Sequence, residues 1–319
     1  MSNFVYKLHL IKVGLLNMAL STDKKWKKPA GDSSRISRKR TKHVIFVRHG
    51  ESAWNVVFNK GFGPSFPGRL GRALRTEAQL STTLDSVFVD SPLSPLGAQQ
   101  ALDLQKFIES MPESDPVAPI LKGTAGAGAS ILCSSNLRRA ISTSCIAFCQ
   151  RLRRTQEKIH IISCLQEITF NIDGIALAKP RTSPVLSDVE LSAMGHTRKD
   201  FNSERFFVAN ENEGDKKLRS KGLTRLLAFA KWAMDRPEQT VIAAGHSLYF
   251  RFFFQTFLPL SSTHIAKKDK MGNGCIVSFS LFEGNDPNGQ IFYGVDESSI
   301  RVIYHDFESN LKHAEKKTN

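Results

Sequence analysis

Three apolar runs in this chain lead directly into basic side chains. Residues 43–55 read HVIFVRHGESAWN, so Val44 to Val47 run into Arg48 and His49. Residues 240–247 read TVIAAGHS and end on His246, and SILCSS at 130–135 leads into Arg138 and Arg139. Such groups are costly to bury without partners. At the carboxyl ends of neighbouring parallel strands they would instead ring the crevice where open α/β sheets bind ligands. Guanidinium forks and helix-start N–H groups match the oxygens of a tetrahedral phosphate. A neutral imidazole in such a ring is also a nucleophile that titrates near physiological pH. If His49 attacks phosphorus, the cations stabilise charge on the equatorial oxygens, and the leaving alcohol needs a proton donor. Glu167, just past the apolar HIISCL at 160–165, is the carboxyl expected at that edge. This chemistry requires no cofactor, and the sequence shows no carboxylate cluster of the magnesium-binding kind.

Delivering these groups requires strands alternating with helices. Strands are predicted at 43–48, 130–135, 160–165, 240–246, 275–282 and 299–305. Helices are predicted from 94, where Ser94 is a suitable N-cap, and over 136–152, 222–236 and 247–258. A helix could also begin at Ser52–Lys60. The order predicts a three-layer α/β/α fold around a mostly parallel sheet. Residues 61–92 and 168–220 read as irregular, and 112–129 as a flexible connection whose glycines lack the Gly-Lys-Ser/Thr ending of a phosphate loop. Arg69, Arg72 and Arg75 read as solvated loop arginines, and Arg138 as facing solvent on its helix.

The motifs, taken in order, resemble those of the histidine phosphatase superfamily, the phosphoglycerate mutase-like group. RHGES with Trp54-Asn55, DSPLSPLGAQQA (90–101), SSNLRRAISTS (134–144), LQE (165–167), AGHS (244–247) and GNGCIVSF (272–279) follow one another over residues 43 to about 305. The resemblance implies a phosphoglycerate mutase-like α/β/α fold, with His49 as nucleophile and Arg48, Arg139 and His246 around the phosphoryl group. It implies a further phosphate contact from Asn55 and an acid/base role for Glu167. Ser247 stands where another branch places an aspartate donor. Glu51 is expected to orient its neighbours, and Gly97 and Gln99 to fix a turn and a helix start. Mutases of the group follow their glutamate with "R-x-Y-G"; here QEITFNIDG puts Ile168 and Phe170 in place of those cationic and phenolic groups. The implied activity is therefore metal-independent phosphomonoester hydrolysis through a phosphohistidine. A mutase and a non-catalytic phospho-ligand module are the alternatives.

Of the +14 net charge, +9 belongs to residues 1–43, so the body is only mildly basic. Residues 1–42 are expected to be a basic, flexible extension, with organelle targeting as the competing reading and a cytoplasmic location otherwise. Nucleic acid is expected, if at all, only through this segment. The catalytic domain is placed at 43–310, with insertions at 56–89 and 168–220, and a charged tail at 311–319. The five cysteines form no CxxC pair and read as reduced, buried thiols. No stretch is apolar enough to span a membrane. The expected partner is a phosphorylated substrate, a small molecule or a phosphoprotein.

Overall fold

The computed structural model describes residues 2–26, 36–286 and 288–308. The proposed tail at 311–319 and residues 27–35 lie outside them. In chain order the strands are β1 (Ser37–Arg48), β2 (Ser130–Ser135), β3 (Ile159–Ile162), β4 (Phe207–Val208), β5 (Thr240–Gly245), β6 (Lys270–Met271), β7 (Ile276–Asn285), β8 (Ile291–Tyr304) and β9 (Phe307–Glu308). The helices are α1 (Asn3–Leu20), α2 (Phe66–Gln79), α3 (Pro95–Ser110), α4 (Ala118–Lys122), α5 (Arg138–Ala147), α6 (Cys149–Thr155), α7 (Asp188–Ala193), α8 (Ser203–Phe206), α9 (Gly222–Asp235) and α10 (Ser247–Phe257). Seven strands form one sheet in the order β4-β3-β2-β5-β1-β7-β8, and β6 pairs with β9 separately. The first five are mutually parallel, and β7 and β8 are antiparallel additions.

Alternation along β1 divides the core. Val44 and Phe46 pack with α9 and α10, where Phe46 meets Phe229, Phe250, Phe253 and Phe254. Ile45 and Val47 pack on the other face with Leu104 of α3 and Ile141 of α5. Apolar residues on both faces are what a central strand covered by two helical layers needs. The α/β/α expectation is met.

Register then fixes where the strands end. Arg48 lies opposite Gly245, Ala244 opposite Ser134, and Ser135 opposite Ile162. The chain runs outward through β2, β3 and β4 before β5 returns between β1 and β2. A crevice opens where such an order reverses.

Several expected loops are ordered differently. Residues 61–92 contain the helix α2, and 112–129 contain the short α4. Within 168–220, β4 joins the sheet edge. The amino-terminal extension is a docked helix in its described part. Lys7 Nζ donates to the carbonyls of Leu80 (3.0 Å) and Asp85 (2.7 Å) and pairs with Glu77. Leu10 joins a cluster with Val89, Ile175 and Leu177. The basic run at 38–40 is strand: Arg40 forks onto Glu283 at 3.0 and 2.8 Å, and Arg38 pairs with Asp296 at 3.1 Å. Cys133, Cys145 and Cys275 are buried, Cys149 and Cys164 half-buried, and all five are free thiols. No helix among the described residues is long and apolar enough to cross a membrane.

Candidate active site

Because β1 and β5 are paired to their ends, the residues that follow them are neighbours. The His49 N–H continues the ladder to the Gly245 carbonyl at 3.1 Å, and the His49 and His246 rings lie 5.1 Å apart. The Gly50 backbone then crosses that of Gly97 at the start of α3. A Cβ on Gly97 would collide with the Glu51 carbonyl, and one on Gly50 with the Gly97 carbonyl. The crossing is locked by polar contacts on both sides. Ser94 caps α3 by accepting from Gly97 N (3.0 Å) and donates to Glu51 Oε2 (2.8 Å). Gln100 accepts the Glu51 N–H at 2.7 Å. Gln100 thus does what was expected of Gln99, which is exposed and bonds only Asp103.

His49 has a defined tautomer. Its Nδ1 lies 2.6 Å from the Gly50 carbonyl oxygen, which can only accept, so Nδ1 carries the proton. The Nε2 lone pair is left outward, accepting from Arg139 Nε at 3.3 Å. Asn273 donates to the His49 carbonyl at 2.9 Å and fixes the turn from behind. Both imidazoles are held well below the ordinary histidine range. Burial is the main cause for each, followed by the charge of Arg139. His49 is therefore a neutral imidazole at neutral pH, its Nε2 lone pair facing Arg139.

Arg48, His49, Asn55, Arg139 and Glu167 line one cavity of about 620 Å³ at this edge of the sheet. Arg139 reaches it from the first turn of α5, its Nη1 donating to the Asp173 carbonyl at 2.8 Å and its Nη2 lying 3.5 Å from Asp173 Oδ2. Arg48 donates to the Met271 carbonyl, while its Nε is buried with no hydrogen-bond partner. His246 lies behind the cavity wall, fully buried. Its Nε2 is 2.8 Å from Ser135 Oγ, and its Nδ1 has no partner. Asn55 begins a π-helical turn; its carbonyl oxygen accepts from Ser52 N (3.1 Å) and Ser52 Oγ (2.9 Å), which leaves its N–H₂ to donate. Glu167 Oε1 accepts from the backbone N–H of Ile168 and of Tyr249, both at 2.9 Å, the latter at the start of α10. Oε2 accepts no hydrogen bond among the described residues. Ser247, the first residue of α10, also lines the cavity.

Arg138 does not face solvent. It is fully buried, paired with Asp85, and donates to the carbonyls of Asp90 and Ser86. Asp90 accepts the Arg138 N–H at 2.9 Å and the Leu177 N–H at 3.0 Å, and burial raises its carboxyl to about 6. This anchoring sets the start of α5 and so aims Arg139. Arg69 is likewise buried, donating to the Val57 and Gly61 carbonyls, whereas Arg72 and Arg75 are exposed. Asp173 was not anticipated. Its carboxyl, raised by burial against the pull of Arg139, lines the cavity six residues after Glu167 in the same loop. An acid repeated within one strand-end loop was the available signal.

No family model and no curated protein matches the chain. Solved structures are similar to it. One is a mycobacterial glucosyl-3-phosphoglycerate phosphatase complexed with VO3, 17% identical over 80% of this chain and 97% of that one, with a TM-score of 0.38. Another is a putative alpha-ribazole-5'-P phosphatase from Escherichia coli, 12% identical over 85% and 98%, with a TM-score of 0.39. A third, mycobacterial hydrolase 1, is 15% identical over 84% and 100%, with a TM-score of 0.38. Likenesses at this level carry no argument of their own, so the chemistry below rests on this chain's residues.

Proposed function

We propose that the protein is a phosphomonoester hydrolase that works through a phosphohistidine on Nε2 of His49. The observation that carries this reading is the His49 tautomer: Nδ1 is tied to a carbonyl, and a neutral Nε2 lone pair opens onto a cavity lined by two arginines. Among the described residues the buried polar atoms Arg48 Nε and His246 Nδ1 have no hydrogen-bond partner, as expected where an anion completes the hydrogen bonding.

In the first step Nε2 attacks phosphorus as the P–O bond to the leaving alcohol breaks, and Glu167 gives its proton to that oxygen. Arg48, Arg139, Asn55 and His246 stabilise the equatorial oxygens, with His246 donating from behind. In the second step Glu167 takes a proton from water, whose oxygen attacks phosphorus and releases inorganic phosphate and neutral His49.

The test is hydrolysis of 4-nitrophenyl phosphate, without added metal, by the wild type and by His49→Ala, with a denaturing quench that avoids acid. Turnover is expected to vanish in the variant, and label to be retained on histidine in the wild type alone. Equal turnover in both proteins would move the nucleophile elsewhere. No turnover and no label between about pH 5 and 8, the range in which histidine titrates, would remove the hydrolase reading.

A further inference from the structure

The cavity's rim carries cations that form no ion pair among the described residues. Lys270, in β6, lines the cavity and precedes Met271, whose carbonyl holds Arg48. Arg251 lies one helical turn beyond the cavity-lining Ser247 and Leu248, on the same face of α10. Its Nε is buried and makes no hydrogen bond. Lys24 comes from the amino-terminal segment, with its Nζ 4.6 Å from the centre of the Phe170 ring. Its position is fixed from both sides. The preceding Asp23 is buried against Lys216 and Arg225, and Trp26 packs on Phe252 of α10 with ring centres 5.1 Å apart.

Among the described residues none of these three side chains has an ion-pair or hydrogen-bond partner, although other charged side chains of the body do. Arg40, Arg138, Arg151, Arg198 and Lys216 all meet carboxylates. Three distant parts of the chain thus bring like charges together beside the phosphoryl site, whose nearby acids are Glu167, Asp23 and Glu308, the last opposite Lys270 in the β6–β9 pair. Glu167 is held by two backbone N–H groups, and Asp23 faces Lys216 and Arg225. The ammonium groups of Lys24 and Lys270 sit below the usual lysine range. Burial is the first cause; the carboxylate of Glu167 opposes it in both, and the charge of Arg251 adds to it in both. An arrangement that repels itself when empty is relieved by an anion.

Resting on the hydrolase reading above, we propose that Lys24, Arg251 and Lys270 form a second anion subsite. The substrate is then a phosphomonoester with a further phosphate or carboxylate, held at the rim while its phosphoryl group sits on His49. The amino-terminal segment is part of the specificity apparatus through Lys24.

The experiment compares methylphosphonate with a graded series of α,ω-alkanediphosphonates as competitive inhibitors of 4-nitrophenyl phosphate hydrolysis. These compounds carry P–C bonds that the enzyme does not cleave. In the wild type the best diphosphonate is expected to bind about tenfold more tightly than methylphosphonate, an advantage that shrinks with added salt. The triple variant Lys24→Ala, Arg251→Ala, Lys270→Ala is expected to lose that advantage, with its methylphosphonate inhibition unchanged within about twofold. Its melting temperature should be unchanged or higher, since the variant removes mutual repulsion. A triple variant that hydrolyses the aryl phosphate and keeps the diphosphonate advantage would overturn the subsite while leaving the hydrolase intact. Absence of wild-type hydrolysis would be seen before any variant is made, and would remove the hydrolase reading and the subsite with it.

Discussion

At the scale of single residues, the division of labour between the two cavity carboxyls is the point that most needs a discriminating experiment. Glu167 keeps one oxygen on two backbone donors and leaves the other without a hydrogen bond among the described residues, whereas Asp173 faces Arg139. If Glu167 is the proton donor, its loss should matter most when the leaving group is a poor one. Glu167→Gln is expected to lower kcat/KM for an alkyl phosphate by about 10²–10³-fold, and for 4-nitrophenyl phosphate far less, because nitrophenolate departs without a proton. Asp173→Asn should affect both substrates alike, by loosening Arg139. A split that follows Asp173 instead would exchange the roles. The sequence made Arg48, His49 and His246 legible because they close apolar runs, so their place at the strand ends follows from strand geometry; Arg139, four residues past β2, was singled out by its motif position before Ala140. Arg138 was not legible, since its partner Asp85 is distant in the chain and only packing shows that the two meet.

At the scale of elements, the site depends on one crossing, where Gly50 after β1 meets Gly97 at the start of α3. An added Cβ at Gly97 would meet backbone, not the movable end of a side chain, so the strand end and the helix would have to separate. Gly97→Ala is expected to cost about 1–3 kcal/mol of stability, read from denaturant unfolding. It should also lower kcat, because Glu51 and His49 move with the crossing. Full stability and full activity in this variant would mean that the crossing is not rigid. The central strands and α3, α9 and α10 were readable from their periods and from the Ser94 cap. Helix α2 was not: it carries Pro67, Gly68 and Gly71, and buries only Arg69 and Ala73. Its order comes from covering Val57 and Val87, which local sequence does not reveal. The docking of α1 was hidden for a related reason. Its inward groups are Lys7, Leu10, Gly14 and Asn17, while Phe4, Leu8 and Leu15 remain exposed, so it shows no simple apolar stripe.

At the scale of the whole molecule, the amino-terminal segment and the catalytic loop are one structural unit. Asp23 is buried between Lys216 and Arg225, at 2.7 and 2.9 Å. Its Oδ2 also accepts the Thr169 N–H at 3.2 Å. Lys216 in turn donates to the carbonyls of Glu167 and Thr169, in the loop that leads to the Arg139 partner Asp173. Removing the carboxylate would leave two buried cations uncompensated beside that loop. Asp23→Ala is therefore expected to cost about 3–5 kcal/mol, the usual penalty for breaking a buried pair from one side. The loss should be visible as a lower melting temperature and as new proteolytic cleavage between residues 167 and 174. Activity should fall with it even at temperatures where the protein stays folded, because Glu167 loses its backbone support. Lys24→Ala, one residue away and with no ion pair among the described residues, should leave stability and the loop intact. If Asp23→Ala melts and resists protease as the wild type does, the segment is a passenger on the fold. If only Asp23→Ala fails, the extension is part of the enzyme's working structure, and truncation at residue 42 would remove a support of the site.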